Sequence, residues 1–138
     1  MSYDLMVFDP AAAPKGREAF LEWYDKQSEW EEPHRYDDPA VSSAALRAWF
    51  MEMIEAFPAL NGPHRKRDLP EDEGTLTDYS VGESVICAAF SWSKAEVAYE
   101  VMFRLAEKHR VGLFNASSDR AEVWLPGPSG RLLLAHAG

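Results

Sequence analysis

Two short segments with strand character, at residues 78–81 and 85–92 and joined at Gly82-Glu83, constrain the fold more than any other feature of the sequence. Each segment has the length and the β-branched and aromatic content typical of a strand. The glycine between them favours a tight connection, so the pair predicts an antiparallel hairpin.

A helical pattern follows the hairpin over residues 93–109. Its predicted inward face consists of Ala98, Val101, Met102, Leu105 and His109. Ser93-Lys94-Ala95-Glu96 matches a capping box, and Gly112 lies just past the predicted end of the helix. Further strands are predicted at 111–116 and 121–125, with an edge strand at 131–135.

The N-terminal half begins with a predicted strand at 3–8, which Asp9 and Pro10 end. An amphipathic helix is predicted from Pro14 to about Trp30, with Glu18, Glu22, Asp25 and Glu29 on its polar face. A second helix is predicted from Ser42 or Ser43 to Phe57. Loops are predicted at 31–41 and 61–74.

The predicted order is therefore β-α-α-β-β-α-β-β, followed by the edge strand. Strand, helix, hairpin, helix and strand in this order are typical of a split βαβ, ferredoxin-like core. We expect one α+β domain over residues 1–138, a two-layer sandwich in which helices cover one face of a mostly antiparallel sheet. Trp23, Trp49 and Trp92 fall on its predicted core faces.

Charge excludes some functions. The 23 acidic residues outnumber the 14 basic ones and give a formal charge of −9. A general nucleic-acid binder needs an excess of Lys and Arg, and an anionic membrane surface would repel this chain. A cationic protein partner fits, because a strong negative field speeds its encounter. The sequence lacks phosphate-binding loops, paired-cysteine zinc motifs and nucleophile elbows, which favours a protein that is not an enzyme.

The first residues have no basic segment followed by an apolar stretch, so no secretory signal is predicted. No apolar run approaches the roughly 20 residues that span a bilayer. We therefore expect a cytoplasmic protein. Its one cysteine, Cys87, lies within an apolar run and is expected to be a buried, unreactive thiol.

The best candidate site is the acidic loop that follows the first predicted helix. Its predicted partner-binding residues are Glu29, Trp30, Glu31, Glu32, His34, Tyr36, Asp37 and Asp38. Residues 18–38 hold eight acidic residues against two basic ones, and Trp and Tyr are the residue types that dominate protein interfaces. The spacing matches no known metal-ligand loop, so we predict neither a metal nor a cofactor.

Three other features of the sequence are weaker candidate sites. The basic cluster at 64–67 is expected to be offset by the acidic run at 71–73. His109, in the last turn of its helix, is expected to be structural. His34, Asp78 and Ser80 would be the first residues to test for a small enzyme or ligand-binding module, with Asp78 and Ser80 opening a central strand into a cleft.

The chain resembles a family of small, largely uncharacterised bacterial proteins. The resemblance is carried by segments 2–10 (SYDLMVFDP), 57–63 (FPALNGP), 78–82 (DYSVG), 89–99 (AFSWSKAEVAY) and 108–114 (KHRVGLF). It brings no catalytic residues. Proteins of this kind are similar in size and charge to the acidic immunity-type proteins of bacterial toxin systems.

The sequence therefore favours an immunity-like inhibitor that neutralises a basic toxin or enzyme by occupying its active-site surface. The alternative is a small enzyme or ligand-binding module with a cleft between sheet and helices. A homodimer formed through an edge strand is left open.

Overall fold

Six antiparallel strands and three α-helices form the protein in a computed structural model, which describes residues 2–138. The elements are β1 (Tyr3–Phe8), α1 (Arg17–Gln27), α2 (Ala44–Ala56), β2 (Asp78–Val81), β3 (Val85–Phe90), α3 (Ala95–His109), β4 (Gly112–Phe114), β5 (Val123–Pro126) and β6 (Leu132–His136). This confirms the predicted α+β class and order of elements. Within the described residues, no helix has the length and apolar character that crossing a membrane requires.

The strands are ordered β2-β3-β1-β4-β5-β6. β1 lies inside the sheet and pairs antiparallel with β3 along its whole length and with β4 over Met6 to Phe8. The predicted hairpin of β2 and β3 is present. β2 was expected to be a central strand but lies at one edge, because it pairs with β3 alone.

The residues of β1 alternate between two hydrophobic clusters on opposite faces of the sheet. Leu5 and Val7 pack with α2 and α3, whereas Met6 and Phe8 pack with Phe20 of α1. The expectation of a two-layer sandwich with helices on one face is therefore wrong. A strand that is apolar at four consecutive positions needs cover on both sides, and α1 supplies the second layer.

The ends of the helices follow local chemistry only in part. α2 begins as predicted after Ser43, whose Oγ accepts a hydrogen bond from the Leu46 N–H at 3.4 Å. The capping box predicted for α3 is absent, since residues 92–94 form a 3₁₀ turn and Lys94 is the N-cap. Trp92 is accordingly half exposed and packs on Tyr3 instead of entering the core.

The C-terminus of α3 also differs from expectation. Arg110, not a glycine, adopts the left-handed conformation that ends the helix, with a φ of 56°. Gly112 belongs to β4, where a Cβ atom would lie 2.3–2.7 Å from three ring atoms of Phe8. The glycine is therefore required by the close approach of the Phe8 ring.

Replacing Gly112 with alanine should destabilise the fold by about 2 kcal/mol, because the fully buried Phe8 ring would have to move within a packed core. Urea unfolding of the variant measures this loss. The matched control is Gly16→Ala, where a Cβ meets nothing within 4 Å and the expected change is below about 1 kcal/mol. Equal unfolding midpoints for the two variants would contradict the assigned contact.

Candidate functional site

The outward face of α1 carries a row of carboxylates, here called the acidic stripe: Glu18, Glu22, Asp25 and, just past the helix, Glu29. All four are exposed, as the sequence predicted, while Phe20 faces the core. Within residues 2–138, no Lys, Arg or His forms an ion pair with any of them. The stripe is therefore free to meet charges from outside.

The loop after the stripe turns sharply at Trp30, whose φ of 53° is unusual for a bulky residue. The Trp30 ring packs edge-on against Tyr36 at 5.1 Å, and the His34 ring lies 4.8 Å from Tyr36. The Tyr36 hydroxyl oxygen also accepts a hydrogen bond from the backbone N–H of Glu32. Tyr36 is thus the centre around which the loop folds.

A hydrogen-bonded cluster joins this loop to the β2–β3 turn. Glu32 Oε1 accepts from the backbone N–H of Glu83 at 3.1 Å and contacts His34 Nε2. His34 Nδ1 lies 2.8 Å from the carbonyl oxygen of Arg35. Both partners of the ring are acceptors, so the protonated imidazolium satisfies them together. The Arg35 carbonyl and then Glu32 raise the pKa of His34.

Ligand-type atoms of Glu32, His34 and Glu83 lie within 4.8 Å of one another, a spacing that could hold a metal ion. The internal hydrogen bonds already account for this arrangement, because Glu32 accepts from a backbone N–H and both His34 nitrogens have partners. The chain's predicted lack of a metal stays a prediction.

The other loop carboxylates divide into two groups. Asp37 Oδ2 accepts from Arg35 Nη2 at 2.7 Å, and Asp38 Oδ1 caps a short 3₁₀ helix by accepting from the Ala40 N–H at 2.9 Å. Glu31, like Glu29, is exposed. Among the predicted partner-binding residues, Glu32, His34, Tyr36, Asp37 and Asp38 have contacts that hold the loop, while Trp30 is half-buried.

Next to this loop, the α1 side of the sheet bears a depression that we call the trough. Two rows of residues, each paired across β2, β3 and β1, form its floor. The first row is Asp78, Ala89 and Asp4, and the second is Ser80, Cys87 and Met6. Because Ala89 pairs with both aspartates, the Asp4 and Asp78 Cα atoms stand about 10 Å apart, two strand spacings, on the same face. The small Ala89 side chain leaves room between the two carboxylates.

One wall of the trough is formed by the end of α1 and the turn after it, through Tyr24, Ser28 and Trp30. The enclosed volume is about 250 Å³. Asp78 and Ser80 also border a shallower opening toward Tyr36 and Gly62. The sequence missed Asp4, Tyr24 and Ala89 because only the β1–β3 register brings them beside β2.

Cys87 lies on the trough floor with a thiol whose pKa burial raises to about 12, and the Asp4 carboxylate adds to the shift. Cys87 is partly exposed on this floor and not fully buried as predicted. A thiol with a raised pKa stays protonated at neutral pH and is a poor nucleophile. Burial, followed by Cys87, likewise raises the pKa of Tyr24. Neither the Cys87 thiol nor the Tyr24 hydroxyl is therefore activated as a nucleophile at neutral pH.

The alternative residue set is brought together only in part. Asp78 and Ser80 share the trough, but His34 is not among the residues that line it. Asp78 and Ser80 thus have no imidazole from His34 beside them to act as a base.

The remaining basic candidates have structural contacts. His109 Nε2 lies 2.9 Å from Glu52 Oε1, and this links α3 to α2 as expected for a structural histidine. Lys66 lies 3.8 Å from Glu55, while Asp72 pairs with Lys94. No ion pair joins residues 64–67 to residues 71–73, because Lys66 pairs with Glu55 and Asp72 pairs with Lys94 of the 92–94 turn.

Searches against family models, curated proteins and solved structures found no match to this chain. The acidic stripe, the loop and the trough are therefore the features of this chain that bear on its function.

The His34 cluster predicts a titration that NMR of the ring protons can measure. The midpoint should lie above the ordinary histidine value of 6.5, since the Arg35 carbonyl and Glu32 favour the charged ring. A raised pKa means that the cluster stabilises the loop fully below about pH 6.5 and loses this effect as the pH rises through the folded-state value. Glu32→Gln should lower the midpoint, whereas Glu31→Gln, an exposed neighbour, should leave it nearly unchanged. An unaltered midpoint in Glu32→Gln would contradict the assigned contact.

Proposed function

We propose that this chain is an acidic binding protein of the immunity type, which neutralises a basic toxin or enzyme by occupying its active-site surface. The observation that carries the proposal is the acidic stripe, four exposed carboxylates without an ion-pair partner within residues 2–138. The proposal includes a cytoplasmic location and a cationic partner. It also includes the resemblance to small bacterial proteins that are similar to those of toxin systems.

Electrostatics explains how such a surface would work. A formal charge of −9 attracts a basic surface over a distance set by the Debye length, about 8 Å at physiological salt. Carboxylates with no internal partner give up only water when they pair with Lys or Arg of another protein. The stripe therefore favours fast association and discriminates against acidic partners.

The contacts divide the predicted partner-binding residues by role. We assign Glu29, Trp30 and Glu31 to direct contact with the partner, because they lie at the end of the stripe and their side chains are exposed or partly exposed. Glu32, His34, Tyr36, Asp37 and Asp38 are assigned to holding the loop that presents them. Trp30 would be the apolar anchor of the interface.

We also propose that the sheet contains a split βαβ, ferredoxin-like core. Strands β2-β3-β1-β4 with α3 joining β3 to β4 have the connections expected of a split βαβ, ferredoxin-like core. Its departures are α1 on the opposite face and the two added strands, β5 and β6. An edge-strand homodimer stays open beside the heterologous complex.

The small enzyme or ligand-binding module is the second candidate, and one observation favours it, since Asp78 and Ser80 border a concave trough. The raised pKa of the Cys87 thiol and the position of His34 outside the trough weigh against catalysis. We therefore treat the trough as part of a binding surface.

Charge reversal tests the proposal. Tagged protein is used at low salt to isolate partners from the native host, and binding of each purified candidate is then measured by calorimetry. Reversal of Glu22, Asp25 and Glu29 to lysine should weaken the complex at least tenfold, since three attractive pairs become repulsive. The affinity of the unaltered protein should also fall steeply with added salt.

The matched control reverses three exposed acidic residues elsewhere, Glu71, Glu96 and Glu100, with the same change in net charge. Its affinity should fall much less than that of the stripe variant. Equal losses of affinity in the two variants would mean that the stripe acts only through the overall charge and is not a specific contact surface. The proposal fails if no basic protein binds, or if a partner binds with no sensitivity to salt or to the stripe.

A further inference from the structure

We propose that the trough is a binding site for one guanidinium group, the end of an arginine side chain of the cationic partner. This inference rests on the proposed function and adds to it a specific subsite beside the acidic stripe. The trough has carboxylates at two borders, an aromatic wall and a floor of small side chains, and together these features suit a planar cation.

The two aspartates supply the charge. Asp4 and Asp78 flank Ala89 in one row across three strands, and both line the same cavity. Asp4 Oδ1 accepts a hydrogen bond from the Ser2 hydroxyl at 2.7 Å, which helps to hold the carboxylate in place. No Lys, Arg or His within residues 2–138 forms an ion pair with Asp4 or Asp78. Two like charges therefore face a shared space that a cation would neutralise.

The wall supplies the shape. Tyr24 and Trp30 line the cavity, and aromatic rings attract cations through their negative faces. Trp30 is held in place by its contact with Tyr36 at 5.1 Å and by the left-handed turn of its own backbone. A ring fixed in this way loses little freedom when a ligand packs against it.

The size of the trough suits the end of a side chain. Its volume of about 250 Å³ lies below the roughly 300–1,000 Å³ typical of sites that take whole small-molecule ligands. A guanidinium group presents N–H donors along several edges and so can reach carboxylates on two sides while its plane lies against an aromatic ring. An ammonium group is a compact charge and matches only part of this arrangement.

Small probes test the site without the partner. Butylguanidinium is titrated into the protein and followed by backbone NMR, with butylammonium and butanol as comparisons. Butylguanidinium should give saturable shifts centred on Ala89, Cys87 and the Trp30 indole, butylammonium should bind several-fold more weakly, and butanol should give no saturable shifts.

Variants identify the groups that bind the probe. Asp78→Asn, an exposed change at the sheet edge, should weaken butylguanidinium binding at least fivefold, and Ala89→Leu should abolish it by filling the floor. The control Glu100→Gln removes an acidic residue of α3, away from the trough, and should bind as the unaltered protein does. The site is refuted if shifts follow the acidic stripe instead, if butanol binds equally well, or if both Asp78→Asn and Ala89→Leu bind normally.

The same variants separate this inference from the function on which it rests. If stripe reversal weakens the partner complex while Ala89→Leu leaves it and probe binding unchanged, the subsite is wrong and the acidic binding protein stands. If the probe binds in the trough but no basic partner exists, the proposed function is wrong and the site serves a small cation.

Discussion

The fold depends on the burial of β1 from both sides. Leu5, Met6, Val7 and Phe8 are each at most 1% exposed, and alternate residues enter the two hydrophobic clusters. A slip of one residue in the pairing of β1 would send every one of these side chains into the wrong cluster, so the register with β3 and β4 is tightly specified. That register determines which face each helix covers.

The trough is a consequence of how α1 covers its face. Phe20 of α1 packs on Phe8 and Phe114, so the helix lies over β1 and β4. The 11-residue helix helps bury Val85 at one end of β3 but leaves Cys87 and Ala89, on the same face, only partly covered. The small side chains of Ala89 and Cys87 become the floor of a depression, and the outward face of the same helix carries the acidic stripe. The position of α1 thus determines where both the acidic stripe and the trough lie.

Local patterns predicted the parts of this molecule that depend on neighbours in the chain. The order of strands and helices, the hairpin at Gly82 and the exposed stripe follow from periodicity and turn chemistry. Periodicity does not encode long-range strand pairing. It therefore could not predict the side on which α1 packs, the edge position of β2, or the row in which Ala89 pairs with both Asp4 and Asp78. The predicted capping box is absent because residues 92–94 form a 3₁₀ turn, which includes Ser93 of the box.

The acidic residues differ in whether their carboxylates already have hydrogen-bond partners within the folded chain. Glu32, Asp37 and Asp38 accept internal hydrogen bonds, and any partner that recruited them would first have to replace those bonds. Glu18, Glu22, Asp25 and Glu29 form no ion pair within residues 2–138. Within α1, Glu22 lies four residues from Glu18 and three from Asp25, and such like charges repel by about 0.2–0.5 kcal/mol per pair. The stripe therefore costs the isolated protein stability, and Lys or Arg of a bound protein would relieve that repulsion. For this reason the composition of the loop is a weaker guide to binding than the lack of internal partners along the stripe.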